Sequence, residues 1–215
     1  MLVGPICFRE EKKKVFKSCR KRHKKRHEKN KMNFTIKTII VSIIFNLSMF
    51  GQSTETQPYT LIKKIDSIEI RFYPSAKIVK TSSENGDNNF GKLFQYISGK
   101  NDKNKKIAMT APVYMDEKGK EMAFVLPSLY NDIEVPKSTR DDVTTHTTKP
   151  MYVASLTYGG YSNSEKVKKH KNTLINTLKK SEIATIGKLK ILGYDAPFKF
   201  YNRRNEVMIE VNYNN

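Results

Sequence analysis

The sequence predicts a pseudo-symmetric α+β domain in which each half of an antiparallel sheet carries one helix. Three observations predict it. From Pro58 onward, short apolar segments alternate with period 2 between turn residues, two segments with helical apolar stripes interrupt them, and the order strand, helix, strand, strand occurs twice. In that repeat Ala76–Thr81 corresponds to Met151–Leu156, and the helix from Asn89 to the helix from Glu165. Met109-Thr-Ala-Pro112 corresponds to Tyr194-Asp-Ala-Pro197, and Met122–Val125 to Val207–Glu210. The halves, about 59–130 and 141–211, imply a crevice between them, which is the default place for a ligand.

Ahead of this domain, charge and hydropathy divide the chain of 215 residues. Residues 1–31 hold thirteen Lys/Arg and three Glu, more than half of the net charge of +19, and both cysteines, Cys7 and Cys19. From Met32 the chain reads MNFTIKTIIVSIIFNLSMFGQS: a start-like Met, one Lys, thirteen largely apolar residues from Thr38 to Phe50, and small residues at Gly51 and Ser53. This is the pattern of a secretory signal peptide. Thirteen residues fall short of the roughly twenty that span a bilayer. The expected organisation is a basic segment 1–31 upstream of the true start, a signal peptide 32–53, and one domain 54–215 that is exported, periplasmic or secreted. The rival is a signal anchor at 38–50 with a basic cytoplasmic tail, the one arrangement that brings in a membrane. No nucleic-acid partner is expected, because no aromatic residue interleaves the basic run to stack bases. His23 and His27 have the i, i+4 spacing of helical metal ligands, with no third ligand beside them.

Each element of the domain has its own signal. Tyr59 to Ile65 and Ser67 to Tyr73 read as paired strands, with Ile68, Ile70 and Phe72 alternating with Glu69, Arg71 and Tyr73 until Pro74 ends the run. Ala76 to Thr81 is a third strand. After the loop SSENGDNN, Asp87 or Asn88 is placed to cap a helix whose stripe is Phe90, Leu93, Phe94 and Ile97, stopped by Ser98-Gly99. Ile107 to Met115 and Glu121 to Leu126 form a hairpin with Gly119 in its turn. Leu129 to Arg140, punctuated by Pro136, joins the halves. The strand-like VTTHTT precedes Met151 to Tyr158, a Gly159-Gly160 turn, and a helix from Glu165 to Lys180. Ser162 and Glu165 are spaced as a capping box. Val167, Leu174, Ile175 and Leu178 mark that helix's buried stripe and a row of lysines its wet face. Lys188 to Tyr194 and Glu206 to Val211 are the last strands.

Several runs are also recognisable in order: IEIRFYP with Ala76-Lys77, FQYISGKN from Phe94, KIAMTAPV from Lys106, FVLP from Phe124 and RRNEV from Arg203. Together, from about Tyr59 to Val211, they resemble the SOUL family of haem-binding proteins. That resemblance implies a duplicated α+β domain, an antiparallel barrel-like sheet with two helices related to effector-binding domains. It also implies binding of haem or another tetrapyrrole in a hydrophobic cleft with basic side chains for the propionates. Carried over by position, a propionate-binding lysine falls at Lys199. Two further basic positions of that cluster fall at Asp87 and Gln95, and a histidine proposed as axial ligand in another branch falls at Phe72, none of which supplies the family's chemistry.

The chemistry of such a site is independent of the name. Haem needs an apolar slot, cations for two propionates and often a His, Cys, Met or Tyr ligand. Candidate binding residues are therefore Lys199, Arg203 and Arg204 as cations, with Phe90, Phe94, Met109 and Tyr194 as apolar or ligating walls. Each has a plainer reading beside it: Phe90 and Phe94 as core, Met109 and Tyr194 as strand interior, Arg203-Arg204 as a salt-bridged strand entrance. His146 and His170 read as structural. Glu69, Asp195 and Glu206 are conceivable catalytic carboxylates that nothing in the sequence pairs. GxSxG, HExxH, CxxC, P-loop and GxGxxG patterns are absent, so no familiar enzyme class is indicated. The expected function is haem or tetrapyrrole binding for buffering, transport or sensing. An effector-binding-type module for another small amphipathic molecule and a membrane-anchored interaction protein are the alternatives.

Overall fold

The structure, a computed structural model, describes residues 54–213, and Thr54–Asn215 forms one compact unit. The basic segment 1–31 and the expected signal 32–53 lie outside the described residues. The first half contains β1 (Glu55–Thr56), β2 (Thr60–Ile65), β3 (Ile68–Tyr73), β4 (Lys77–Ser82), α1 (Asn89–Ile97), β5 (Thr110–Ala111), β6 (Val113–Asp116) and β7 (Glu121–Val125). A 3-10 turn at Ser128–Asn131 leads to β8 (Val143–Thr147), β9 (Met151–Gly159), α2 (Ser164–Lys180), β10 (Thr185–Gly193) and β11 (Arg204–Val211).

Nine strands form one antiparallel sheet in the order β2-β3-β9-β11-β10-β6-β7-β4-β8, and β1 pairs in parallel with β5. The sheet stays open, with β2 and β8 as its edges. Both edges are largely solvent-exposed and polar, Lys63 and Lys64 on β2 and a Thr/His run on β8, which discourages pairing with another chain. The β4–α1–β6–β7 order is followed by β9–α2–β10–β11, and the two runs meet side by side at the β6–β10 ladder.

Strand alternation divides the sheet into two faces. Ile68 and Ile70 of β3, Ala154 and Leu156 of β9 and Val207, Ile209 and Val211 of β11 form one core with Val167, Leu174 and Leu178 of α2. Full burial of leucines such as Leu174 and Leu178 contributes about 1.5–3 kcal/mol each. A second core joins Leu93, Tyr96 and Ile97 of α1 to Val79, Phe124 and Leu126. The opposite face holds a third, smaller cluster of Tyr73, Val153, Leu192 and Met208.

Three local expectations are corrected. The cap of α2 is Asn163, whose side chain accepts from the Lys166 amide at 2.8 Å; the Ser162 hydroxyl bonds Tyr158 Oη instead, so no Ser162–Glu165 capping box forms. Asn88 occupies the cap position of α1 without a side-chain cap bond. That end is fixed by Asn89, which accepts from Ser83 Oγ and donates to the Gly119 and Lys120 carbonyls at the β6–β7 turn, where Gly119 has φ 71°. The α1 stripe is rotated as well: Leu93, Tyr96 and Ile97 are buried, whereas Phe90 and Phe94 lie at the stripe's edge, 44% and 50% exposed. At about 100° per residue, a face centred on Leu93, Tyr96 and Ile97 leaves those two rings at its border.

Candidate functional site

One polar constellation is buried on the face opposite α2. Because Ile68 and Ile70 point toward α2, alternation sends Glu69, Arg71 and Tyr73 the other way, and Glu206 of β11 likewise opposes Val207. Arg71 and Glu206, 1% and 0% exposed, meet in a two-pronged pair at 2.7 and 3.1 Å. Glu206 also accepts from Ser155 Oγ at 2.9 Å, Thr157 Oγ1 at 3.1 Å, Tyr194 Oη at 3.0 Å and Arg204 at 2.6 Å. Burial alone would raise its pKa, but the Arg71 and Arg204 guanidiniums hold it down to about 2. Burial and the Glu206 charge push the Tyr194 phenol up, so it stays a hydrogen-bond donor. The Arg71 and Arg204 guanidiniums lie over the Tyr59 and Tyr194 rings at 4.3 and 4.1 Å.

This saturation decides the role of the carboxylates. Glu69 binds Arg71 and Lys64, and Asp195 accepts from Lys199 Nζ at 2.5 Å and the Arg204 amide at 2.6 Å. Burial would raise Glu69, Asp195 and Glu206, but their cation partners hold each below the ordinary carboxylate value, Glu206 at about 2. The cluster staples β3, β9 and β11 together.

A different constellation faces outward. Phe90 and Phe94 stack on one another, centroids 5.9 Å apart, and Phe90 sets an edge against Phe124 at 5.2 Å. The loop joining β10 to β11 carries Phe198, Phe200 and Tyr201, exposed by 86%, 77% and 62%. The two groups are linked through the sheet: Gly193, the root of the loop, pairs with Val113, which pairs with Phe124, the residue whose ring Phe90 touches. Two strand spacings, about 10 Å, separate the backbones of Gly193 and Phe124. Five large aromatic side chains in water are a substantial liability for a monomeric domain, and such patches mark binding sites.

The loop is held in shape by its own polar groups. Arg203 donates to the Ala196 and Lys199 carbonyls at 2.7 and 2.6 Å and its guanidinium stacks on Tyr161 at 4.6 Å. Asp195 clamps both Lys199 and the first residue of β11, Arg204. Arg203 is engaged by loop backbone, Arg204 by Glu206 and Lys199 by Asp195; the Arg204 and Lys199 side chains stay 40% and 33% exposed, and Lys199 stands between Phe198 and Phe200 in sequence. Of the remaining sequence candidates, Met109 packs beside the α1 core and Tyr194 in the opposite-face cluster, so the two do not line a shared pocket. His146 bonds Thr144 Oγ1, and His170 bonds the Lys166 carbonyl and stacks on Tyr158 at 4.4 Å. Among the described residues no group of three His, Cys, Asp or Glu is placed to hold a metal. Phe198, Phe200 and Tyr201 are not among the residues that periodicity singles out; their signal is three aromatics in four residues between Pro197 and Asn202, with no alternation to bury them.

The fold is an open antiparallel sheet with two helices, and exposed aromatic rings stand on α1 and on the β10–β11 loop. Residues 54–210 match the family described as SOUL heme-binding protein, and the chain belongs to that family. It is 33% identical to Heme-binding protein 2 of Homo sapiens over 159 residues, 66% of this chain and 77% of that one. It is 25% identical to Heme-binding protein 1 of Sus scrofa, over 75% and 95% of the two chains. Among solved structures, an EcmrR–DNA complex shares the fold, with a TM-score of 0.50 at 10% identity, covering 86% of this chain and 69% of that chain.

Proposed function

We infer that the chain binds haem or a related tetrapyrrole at the face between α1 and the β10–β11 loop. The observation that carries the reading is the exposure of stacked Phe90 and Phe94 on α1 and of Phe198, Phe200 and Tyr201 beside Lys199 on a loop whose root, Gly193, is linked by the β10–β6–β7 ladder to Phe124 against Phe90. Flat apolar faces suit a macrocycle, and an ammonium suits a propionate. The fit is to the porphyrin and its carboxylates; the two histidines of the domain are engaged elsewhere, His146 with Thr144 and His170 with the Lys166 carbonyl. Haem is here a cargo, for buffering, carriage or sensing, and Arg203 and Arg204 act as positioning residues that hold the loop and its lysine. The two strand–helix–strand–strand runs read as copies of one unit, of which only the second extends this aromatic loop. Export directed by residues 32–53, with action outside the cytoplasm, belongs to the same proposal and rests on the apolar run closed by Gly51 and Ser53.

Titrating hemin into the full chain and following the Soret band tests the site. Saturation at one equivalent is expected. A charge-assisted contact contributes roughly 1.5–3 kcal/mol, so Lys199→Glu should weaken binding about tenfold or more. Binding that never saturates, or that is equal in the two proteins, contradicts the assignment.

A further inference from the structure

The face of the sheet turned away from the helices contains a cavity of 540 Å³. That volume lies in the range of about 300–1,000 Å³ typical of small-molecule sites. Both halves contribute: Ile78 and Tyr114 from the first, Met151, Val153, Ile186 and Met208 from the second. None of the aromatic residues between α1 and the β10–β11 loop lines it, nor does Lys199.

Its charges cancel. Lys190 pairs with Glu121 at 3.3 Å, Asp142 is held by Arg140 and Lys92, and Asp116 accepts from the Lys118 and Glu121 amides of the hairpin turn. The other ionisable side chains of the lining, Lys80, Lys188, Asp141 and Glu210, number two of each sign, and none forms an ion pair among the described residues. A dianionic tetrapyrrole finds no net cation here, and an organic cation no net anion. The buried amide of the wall is Gln57, 5% exposed. Its Oε1 accepts from Tyr114 Oη at 2.6 Å, and its amide nitrogen has no partner among the described residues. Burial pushes the Tyr114 phenol up, which keeps that hydroxyl donating to Gln57 and leaves the amide N–H groups for a guest. Methionine walls adapt to irregular apolar shapes.

We propose that this cavity is a second ligand site, for an uncharged amphipathic small molecule whose apolar body contacts Met151, Val153 and Met208 and whose carbonyl or hydroxyl oxygen accepts from Gln57. It is separate from the tetrapyrrole face, and its occupancy does not depend on haem.

The test uses the full chain and the uncharged fluorophore N-phenyl-1-naphthylamine, followed by its emission. Expected are saturation near one equivalent, no displacement by one equivalent of hemin, and unchanged binding in a Phe90→Ala/Phe94→Ala protein. Ala123→Trp, which fills the cavity from β7, and Ile186→Asp, which charges its partly exposed rim, should each weaken the dye at least tenfold. If Ala123→Trp does not fold, Ile186→Asp alone decides. Displacement by hemin, undiminished binding in folded variants, or an affinity for an anionic or a cationic dye of the same size that equals the uncharged dye's overturns the proposal. Because hemin and dye are read separately, loss of one site and loss of the other are distinguishable.

Discussion

Glu206→Ala is expected to lower folding stability by about 3–5 kcal/mol, because it strands the Arg71 guanidinium in the interior without its counter-charge. Ser155, Thr157 and Tyr194 lose their shared acceptor in the same step. The pair's net worth is smaller than that loss. Taking two charges from water is costly, so replacing both at once with apolar residues of similar volume, Arg71→Met with Glu206→Leu, should recover the part of the loss that comes from the stranded guanidinium, while the hydroxyls of Ser155, Thr157 and Tyr194 still lack their acceptor. Acid unfolding carries the same signature. The Glu206 pKa is about 2 in the folded chain against an ordinary 4.5, so its contribution is fully present above about pH 4.5 and is lost as pH falls through about 2. Thermal melts from pH 7 to pH 2 should show Tm dropping below pH 4.5 in the native protein and a shallower slope in the double variant. Equal slopes would show that the pair does not set the acid limit.

The second large effect is on ligand rather than on fold. Phe90 and Phe94 are about half exposed, and α1 is held by Leu93, Tyr96 and Ile97 beneath them. Phe90→Ala/Phe94→Ala should therefore shift Tm by only a few degrees. Stacking of one aromatic ring on another contributes about 0.5–1.5 kcal/mol beyond the area it covers. With that area, removing two rings amounts to roughly 2–3 kcal/mol, or about 30- to 150-fold in hemin affinity. Calorimetric or Soret titration of the double variant reads this directly. An unchanged dissociation constant would remove α1 from the site.

The α+β architecture was legible because it is written in periodicity. Alternation at Ile68 to Tyr73 names a strand but not its burial, since Arg71 and Tyr73 on the expected wet face are buried, whereas the lysine-backed stripe of the second helix names both the element and its buried face. Caps were less legible: Asn163 and Ser162 are adjacent, either can cap by chemistry, and a one-residue shift separates a capping box from a simple Asn cap. The Arg71–Glu206 pair was invisible because its partners stand 135 residues apart and meet only through the β3–β9–β11 ladder. Phe90 and Phe94 were readable as apolar helix residues, but a stripe does not say whether anything covers its edge. Arg203 and Arg204 were found as cations, while their engagement with loop carbonyls and Glu206 depends on the fold. Lys199 was found as a candidate, yet the rings flanking it were not, since no periodicity marks a residue that stays in water.

The most direct measurement of where a tetrapyrrole sits is an amide chemical-shift titration of the ¹⁵N-labelled chain with zinc protoporphyrin, which is diamagnetic. Perturbations centred on Phe90, Phe94 and residues 196–202 are the predicted result, with Met151, Val153 and Met208 unmoved. Shifts concentrated instead on Met151, Val153, Met208 and Lys190 would place the macrocycle in the cavity on the other face and contradict the assignment.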